Sequence, residues 1–315
     1  MKKTRILLVI VVLTLIAAAC SSDDAADTAT TTTAATTTTA ATTTTAAATT
    51  TTAATTTTAG ATTTTIAIPD LGGRTLTVAV ENLYLPFNYI PLGGTEGEGW
   101  DYDTFRAICD LINCVPEFIP AAWPAMIDQV ANGEFDTAGD GISITEERAE
   151  VVLFSEAYMV VEQKFITQLD DDRWGDATEV ITGDALVGTQ VGTTNYELAV
   201  ELVGEDRIQA FDLFPLAVQA LINGDVDVVI IDDSAGQGYV GVNADELRTV
   251  DGALQSDPLG FIYELGSDLK DPIDIAVKLL KADGTWDTLH TKYFTDAFAK
   301  EYCSGDESLD IEGGC

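Results

Sequence analysis

Residues 136–148 read DTAGDGISITEER, and this stretch joins the end of a short apolar strand to the start of a helix. Gly139 and Gly141 end the predicted strand, because glycine accepts backbone angles that other residues avoid. Thr145 is a predicted helix N-cap, and the two glutamates after it suit the first helical turn. A hydroxyl at Ser143, backbone groups around Gly141 and the guanidinium of Arg148 therefore come together where a strand ends and a helix begins.

This combination suits a small carboxylate, which a guanidinium can bind with two parallel hydrogen bonds. A simpler explanation is a surface arginine paired with aspartate or glutamate. For a single arginine in a chain with 51 acidic and 15 basic residues, the simpler explanation is preferred until other features are considered.

Strand and helix patterns alternate on both sides of the stretch, which favours parallel βαβ units and an α/β fold. Upstream, the apolar patterns predict strand 75–80, helix 100–112, strand 115–119, a helix from Pro124 to Gly133 and strand 135–138. Downstream they predict strands 163–168, 185–189, 208–211, 226–231 and 261–264, and helices 195–203, 215–222, 272–281 and 286–299, with Asp271 as the N-cap before Pro272. Residues 169–183 are polar and are predicted to be irregular.

The sequence SITEERAEVVLFS at residues 143–155 resembles the signature of the family 3 extracellular solute-binding proteins, the two-lobed amino-acid receptors of ABC importers. The resemblance covers residues 74–294. It implies a type II periplasmic-binding-protein-like fold, in which two α/β lobes are joined by two crossover strands, near residues 163–168 and 259–265. The first lobe is then expected at 66–165 and 260–302, the second lobe at 166–259, and an acidic tail at 303–315.

Ligands of open α/β sheets bind beyond the carboxyl ends of the strands, and four polar segments are predicted there. By the resemblance, Arg148 binds a ligand carboxylate, assisted by N–H groups of Thr193 and Thr194 at a helix N-terminus. Asp232 pairs with the ligand ammonium, together with the Gly141 carbonyl and the Ser143 hydroxyl. The resemblance also implies two aromatic walls for the ligand side chain, Tyr84 and Trp123.

Each of these assignments has an alternative. A Gly-Thr-Thr sequence before a helix is often a turn and a cap, and an aspartate at a strand end is often a cap too. Taken singly, these structural explanations are preferred; taken together, in the order and spacing of the family, the binding site is preferred.

Ligand identity is predicted to depend on Glu81, Asp140, Gln190 and Asn195. Asp140 is the most informative, because small residues are common at this position in the family. Several carboxylates in one cleft suit a cationic side chain such as that of arginine, lysine or ornithine. Alternatively, Asp140 forms an internal salt bridge or merely adds to the surface charge, and a neutral polar ligand is then as suitable.

The N-terminus has the features of a secretory signal. Three basic residues precede an apolar run at 6–16, which is too short for a membrane span, and small residues follow it before Cys20. Residues 1–19 are therefore predicted to be a signal peptide, and Cys20 resembles the lipid-modified cysteine of a bacterial lipobox. Residues 20–65, mostly threonine and alanine from 28 onward, are predicted to be a disordered tether.

Charge and cysteine content limit the possible functions. The net charge of −36 excludes nucleic-acid binding, because phosphate contacts require a basic surface. Four cysteines remain after Cys20, and an even number outside the cytoplasm suggests disulfides. Proximity favours Cys109–Cys114 and Cys303–Cys315 among three possible pairings. Their spacings match no zinc motif, and neither a metal nor a cofactor is expected.

Three functions are consistent with this fold. The first is a lipid-anchored monomeric receptor outside the cytoplasm, which carries an amino acid, with a basic one slightly preferred, to an ABC permease and does no chemistry. The second is an enzyme on the same fold, such as a cyclohexadienyl dehydratase, but its candidate acid or base, His290, lies in a predicted structural helix. The third is a ligand-sensing module for a separate signalling protein.

Overall fold

The computed structural model describes residues 67–304. The predicted signal peptide, Cys20, the tether and residues 305–315, including Cys315, lie outside the described residues. Within the described part, no helix is long and apolar enough to cross a membrane.

The first lobe is built on a five-stranded sheet. Its order is β4-β1-β5-β13-β6, in which β1 is parallel to β4 and β5, and β13 is antiparallel to its neighbours. The strands are β1 (Arg74–Val80), β4 (Cys114–Pro120), β5 (Thr137–Ala138), β6 (Val152–Phe154) and β13 (Ile262–Glu264), and a small hairpin of β2 (Leu83–Tyr84) and β3 (Asn88–Tyr89) follows β1.

The helices of this lobe within residues 67–304 are α1 (Trp100–Ile112), α2 (Trp123–Ala131), α3 (Glu146–Ala149), α8 (Lys270–Asp283), α9 (Thr285–Tyr293) and α10 (Asp296–Ser304). The buried face of α1 carries Phe105, Ile108, Cys109 and Ile112, as its helical spacing predicts. The ring of Trp100 packs against Phe87, Phe261 and Trp286, which joins α1 to distant parts of the chain.

The second lobe has its own sheet, ordered β11-β7-β10-β8-β9, with β12 also paired to β7. The strands are β7 (Met159–Gln168), β8 (Val187–Gln190), β9 (Ile208–Phe211), β10 (Val228–Asp232), β11 (Leu247–Thr249) and β12 (Gln255–Leu259). The helices are α4 (Ala177–Thr182), α5 (Thr194–Val203), α6 (Phe214–Asn223) and α7 (Asp233–Val242). Strand β10 is buried throughout, which explains its continuous apolar sequence.

The chain passes between the two sheets twice. The first passage is residues 155–158, and the second is Gly260–Phe261. They lie side by side, because the N–H of Ser155 donates to the Phe261 carbonyl and the N–H of Tyr158 donates to the Leu259 carbonyl. The predicted crossing at 163–168 therefore lies within β7, a strand of the second sheet, and the predicted boundary at 165/166 falls inside the same strand.

Three local predictions are wrong. Residues 169–183 contain helix α4, because Asp176 and Glu179 form a reciprocal capping box at its start. Helix α8 begins at Lys270, so Asp271 is inside the helix and Leu269 occupies the N-cap position. The predicted helix 286–299 is two helices, α9 and α10, with Phe294 in a non-helical conformation at the end of α9.

Helix α10 contacts both lobes. In the first lobe, the ring of Tyr89 packs edge-on against Phe298 and Tyr302. In the second lobe, Gly241 of α7 lies so close to Ala299 that an added Cβ would stand 2.9 Å from the alanine Cβ. This helix therefore connects the lobes in addition to the two strand passages.

The predicted disulfide Cys109–Cys114 is present and ties the end of α1 to the start of β4. The other predicted pair includes Cys315, which lies outside the described residues. The sulfur bridge lies at the amino end of β4, whereas the cleft between the lobes lies beyond the carboxyl end of the neighbouring β1.

Candidate functional site

A polar cavity lies in the cleft between the lobes, and all twelve residues of the predicted ligand site line it. The lining is Glu81, Tyr84, Trp123, Asp140, Gly141, Ser143, Arg148, Gln190, Thr193, Thr194, Asn195, Phe214 and Asp232. Most of them follow β1, β5, β8 or β10 directly, so the carboxyl ends of four strands from two sheets supply the site. Phe214 is the one lining residue that the sequence analysis did not name.

Arg148 lies at one side of this cavity, in the short helix α3. Thr145 is the N-cap of that helix, as predicted, and its hydroxyl accepts a hydrogen bond from the Arg148 N–H. The guanidinium donates to the Ser143 carbonyl at 3.0 Å and to the Gly192 carbonyl, across the cleft, at 3.4 Å. Its carbon lies 5.4 Å from the centre of the Trp123 ring.

Arg148 forms no ion pair with any residue that the structure describes. The alternative of an ordinary surface arginine paired with an acid therefore does not apply within residues 67–304. Burial lowers the pKa of Arg148, which means that the cleft disfavours its positive charge. An anion bound here would relieve that cost.

The Gly192-Thr193-Thr194 segment faces Arg148 from the second lobe. Thr193 is the N-cap of α5 and accepts from the Tyr196 N–H, so its hydroxyl has the capping role that was the alternative to ligand binding. The hydroxyl of Thr194 lies 3.1 Å from that of Ser143 in the first lobe. The segment thus provides both a helix N-terminus and a hydroxyl contact to the opposite lobe.

Asp232 ends β10 and occupies the N-cap position of α7, but its side chain makes no capping hydrogen bond. It instead accepts hydrogen bonds from the Tyr84 hydroxyl at 2.9 Å and the Asn195 amide at 3.0 Å. Burial raises the pKa of Asp232 to about 6, and these two hydrogen bonds oppose the rise. The carboxyl group is therefore turned towards the cavity rather than towards its own helix.

Acidic groups lie together in another part of the cavity. Glu81 accepts a hydrogen bond of 2.9 Å from the Gln190 amide of the second lobe, and Asp140 accepts one of 2.7 Å from the Asn88 amide. Neither carboxylate forms a salt bridge within the described part of the chain, so the internal pair suggested for Asp140 is absent there. Burial raises the pKa of Glu81 to about 7 and that of Asp140 well above its ordinary value.

Aromatic side chains form the walls. Trp123 donates its indole N–H to the Gly192 carbonyl at 3.2 Å, and Tyr84 stacks between Phe87 and Phe214 with centroid distances of 5.4 Å. Gly141 has a left-handed backbone (φ 61°), and a Cβ there would stand 2.9 Å from the Tyr84 ring, so glycine is required. Phe214 was not predicted as a site residue, because an apolar residue before Pro215 is typical of an ordinary helix start. The one feature that could have indicated it is its position shortly after β9.

Two α/β lobes joined by paired strands, with a polar cavity in the cleft between them, define a type II periplasmic binding protein. The chain belongs to the bacterial extracellular solute-binding proteins, family 3, whose sequence model matches residues 76–296.

Individual relatives agree with this membership. The chain is 25% identical to a probable histidine-binding protein of Neisseria gonorrhoeae, over 70% of this chain and 84% of the relative. It is 27% identical to an arginine-binding periplasmic protein of Mannheimia haemolytica, over 69% of this chain and 90% of the relative. Its structure is similar to that of an ancestral amino acid-binding protein described as a precursor of cyclohexadienyl dehydratase, with a TM-score of 0.65, 30% identity, and coverage of 70% of this chain and 96% of the ancestral protein.

Proposed function

We propose that this protein captures a free amino acid between its lobes and delivers it to an ABC importer. The observation that carries the proposal is a guanidinium and a carboxylate, Arg148 and Asp232, that line one cavity and lack ion-pair partners among the described residues. A zwitterion supplies the missing partner of each: its α-carboxylate for Arg148 and its α-ammonium for Asp232.

The side chain of the ligand is proposed to be basic. Glu81 and Asp140 are two buried carboxyls in the same cavity, and neither forms an ion pair with a described residue; a guanidinium or ammonium group of the ligand would balance them. The relatives named above for histidine and arginine support a ligand of this class.

The residues that complete the binding site have distinct proposed roles. Thr193 and Thr194 offer backbone N–H groups to the ligand carboxylate, while Gly141 and Ser143 assist Asp232 at the ammonium. Tyr84, Trp123 and Phe214 enclose the aliphatic part of the side chain. Gln190 and Asn195 fix the carboxylates of Glu81 and Asp232 by hydrogen bonds across and within the lobes.

We also propose that the receptor is attached to the outer side of a membrane. The signal-like residues 1–19, lipid on Cys20 and the tether at 20–65 would hold a monomer outside the cytoplasm, close to a membrane permease. Membership in an extracellular solute-binding family supports this setting. Mass spectrometry of the mature N-terminus, with and without inhibition of lipoprotein processing, tests it.

An enzyme remains the second candidate, because of the structural likeness to a precursor of cyclohexadienyl dehydratase. His290 is an unsuitable acid or base, since it lies in α9 and packs on Phe294 rather than lining the cavity. Glu81 is a better one, with its raised pKa of about 7. Formation of an aromatic product from a cyclohexadienyl substrate, lost in Glu81→Gln, would favour the enzyme.

The test of the receptor is thermal unfolding of residues 21–315, stripped of carried-over ligand, with twenty amino acids, ornithine and citrulline added singly. A ligand that binds only the folded protein raises the unfolding midpoint with the logarithm of its concentration. Arginine, lysine or ornithine should raise it most. A shift with a neutral amino acid alone would retain the receptor and reject the basic ligand, and no shift with any of them would reject the receptor.

A further inference from the structure

A third carboxyl lies directly behind the acidic part of the cavity. Asp101, at the start of α1, is 0% exposed and does not line the cavity. The amide nitrogen of Asn88 donates to both Asp101, at 2.9 Å, and Asp140, at 2.7 Å. Asp140 in turn has Glu81 as its strongest charged neighbour. Asp101, Asp140 and Glu81 thus form a continuous buried group, here called the acid cluster.

The described residues provide no positive charge to the acid cluster. None of its three carboxyls has a salt bridge to a described residue. Arg148, the cation among the described cavity residues, has its strongest charge interactions with Glu197 and Asp232 instead.

The other titratable groups near the cluster are phenols. Four phenols within the described residues interact with its members: Tyr84, Tyr102, Tyr158 and Tyr239. Burial raises the pKa of each phenol above the ordinary value, so all four are neutral at pH 7. At pH 7 these phenols therefore add no charge, positive or negative, to the acid cluster.

One oxygen of Asp101, Oδ1, also has no hydrogen-bond partner among the described residues. A fully buried carboxylate with an unpartnered oxygen and an acidic neighbour is costly, and the protonated acid, which carries no charge, costs less. Burial raises the pKa of Asp101 to about 8, in the same direction as for Glu81 and Asp140. Protons on these carboxyls therefore neutralise the acid cluster, which no described side chain does.

We propose that the acid cluster exchanges protons for the positive charge of the ligand side chain, so that capture of a basic amino acid releases protons to the solvent. The proton leaves a carboxylic acid of the cluster for water or buffer, and the resulting carboxylate pairs with the ligand cation. This inference rests on the proposed function and adds to it a regulation of ligand affinity by pH. Basic ligands are bound tightly at pH 8 and released as the medium becomes acidic.

The size of the effect follows from linkage. Each proton released on binding changes the association constant about tenfold per pH unit. The affinity for a basic ligand rises with pH while the pH lies below the pKa of the cluster in the free protein, which is about 7 for Glu81 and about 8 for Asp101. A ligand with a neutral side chain does not replace a proton of the cluster, so its affinity lacks this dependence on pH. Any dependence on pH that comes from Asp232 is common to both kinds of ligand.

The test compares L-arginine with L-citrulline, which has nearly the same shape but no side-chain charge. Dissociation constants are measured by calorimetry at pH 6, 7 and 8 on residues 21–315, and at pH 7 in two buffers of different ionisation enthalpy. We expect arginine affinity to rise by about tenfold per pH unit relative to citrulline, with a heat at pH 7 that depends on the buffer. Asp140→Asn should reduce both effects, and Asp110→Asn, an exposed change on α1, should reduce neither.

The outcomes separate this inference from the proposed function. If arginine binds with the same pH response as citrulline and with a buffer-independent heat, proton exchange is wrong and the receptor stands. If neutral amino acids bind and arginine does not, the inference falls together with the basic ligand. If no amino acid binds, the receptor falls as well. The comparison of arginine with citrulline uses the unmodified protein. It therefore tests proton exchange even if Asp140→Asn does not fold.

Discussion

The hydroxyl of Tyr84 in the first lobe donates a hydrogen bond of 2.9 Å to the carboxylate of Asp232 in the second lobe. The same ring packs against Phe214, also of the second lobe, at a centroid distance of 5.4 Å. One side chain therefore provides both a polar and an apolar contact across the cleft. Asp232 takes this bond on one oxygen and the Asn195 bond on the other, which fixes how its remaining lone pairs face the cavity.

Replacing Tyr84 by phenylalanine should weaken amino-acid binding about fivefold, because it removes a hydrogen bond worth about 1 kcal/mol and keeps the ring. Tyr239→Phe is the matched control. It also removes a hydrogen bond between lobes, from Tyr239 to the Leu83 carbonyl, but does not touch the cavity. Calorimetry measures both. Equal losses of affinity would mean that Tyr84 acts through lobe closure alone and not through Asp232.

Arg148→Lys should reduce the affinity for every α-amino acid by about 100-fold, or roughly 3 kcal/mol. Lysine keeps the charge but cannot form two parallel hydrogen bonds with a carboxylate. Arg106→Lys, an exposed change on α1 beside Asp103, is the control and should change the affinity less than twofold. Retention of affinity within threefold in Arg148→Lys would refute the assignment of the ligand carboxylate.

The ligand-free protein should lose stability as the pH rises from about 4 to 8, and Asp101→Asn should reduce that loss. The folded-state pKa of Asp101, about 8, is above its ordinary value of 3.8. Between these values the folded protein keeps a proton that the unfolded chain has released, so folding is favoured at low pH and the advantage disappears as the pH passes the folded pKa. Each unit of difference corresponds to about 1.4 kcal/mol.

Urea unfolding at pH 5 and pH 8 measures this effect. The stability of Asp101→Asn relative to the original protein should be greater at pH 8 than at pH 5, because the cost of keeping the Asp101 proton in the folded state grows over this range. Asp110→Asn, exposed on the same helix, should show no such difference between the two pH values. A variant that is destabilised equally at both values would mean that Asp101 is needed for its hydrogen bond and not for its proton.

Replacing Cys109 and Cys114 by alanine should lower the free energy of unfolding by about 2 kcal/mol, the entropy of closing a loop of this size. Alanine is preferred to serine because Cys109 is buried. Ligand affinity should not change, since the disulfide lies at the amino end of β4. A fall in affinity would mean that the orientation of α1, and with it Asp101, depends on the disulfide.

The sequence predicted the strands that supply the site because they are largely buried and include apolar runs such as residues 78–80 and 228–231, and because glycine and polar residues follow them. Helix α7 was not predicted, since glycine is unfavourable in helices. Packing overrides this preference: an added Cβ would stand 3.2 Å from Leu85 and Pro86 at Gly238 and 2.9 Å from Ala299 at Gly241, so both positions are tight for a side chain. Asn88 and Asp101 were not predicted to belong near the site, because no local sequence pattern marks them. Their roles come from hydrogen bonds that join Asn88 to Asp101 and to Asp140 in the folded protein.

Helix α10 begins at the residue where the match to the family ends, and it touches both lobes. Two adjacent strands alone would leave the lobes free to bend and twist about a common axis. A third connection away from that axis removes part of this freedom. The opening of this protein must therefore either separate α10 from α7 or carry α10 along with the second lobe. In either case a spectroscopic label on α10 would report the movement of the cleft without being near the ligand.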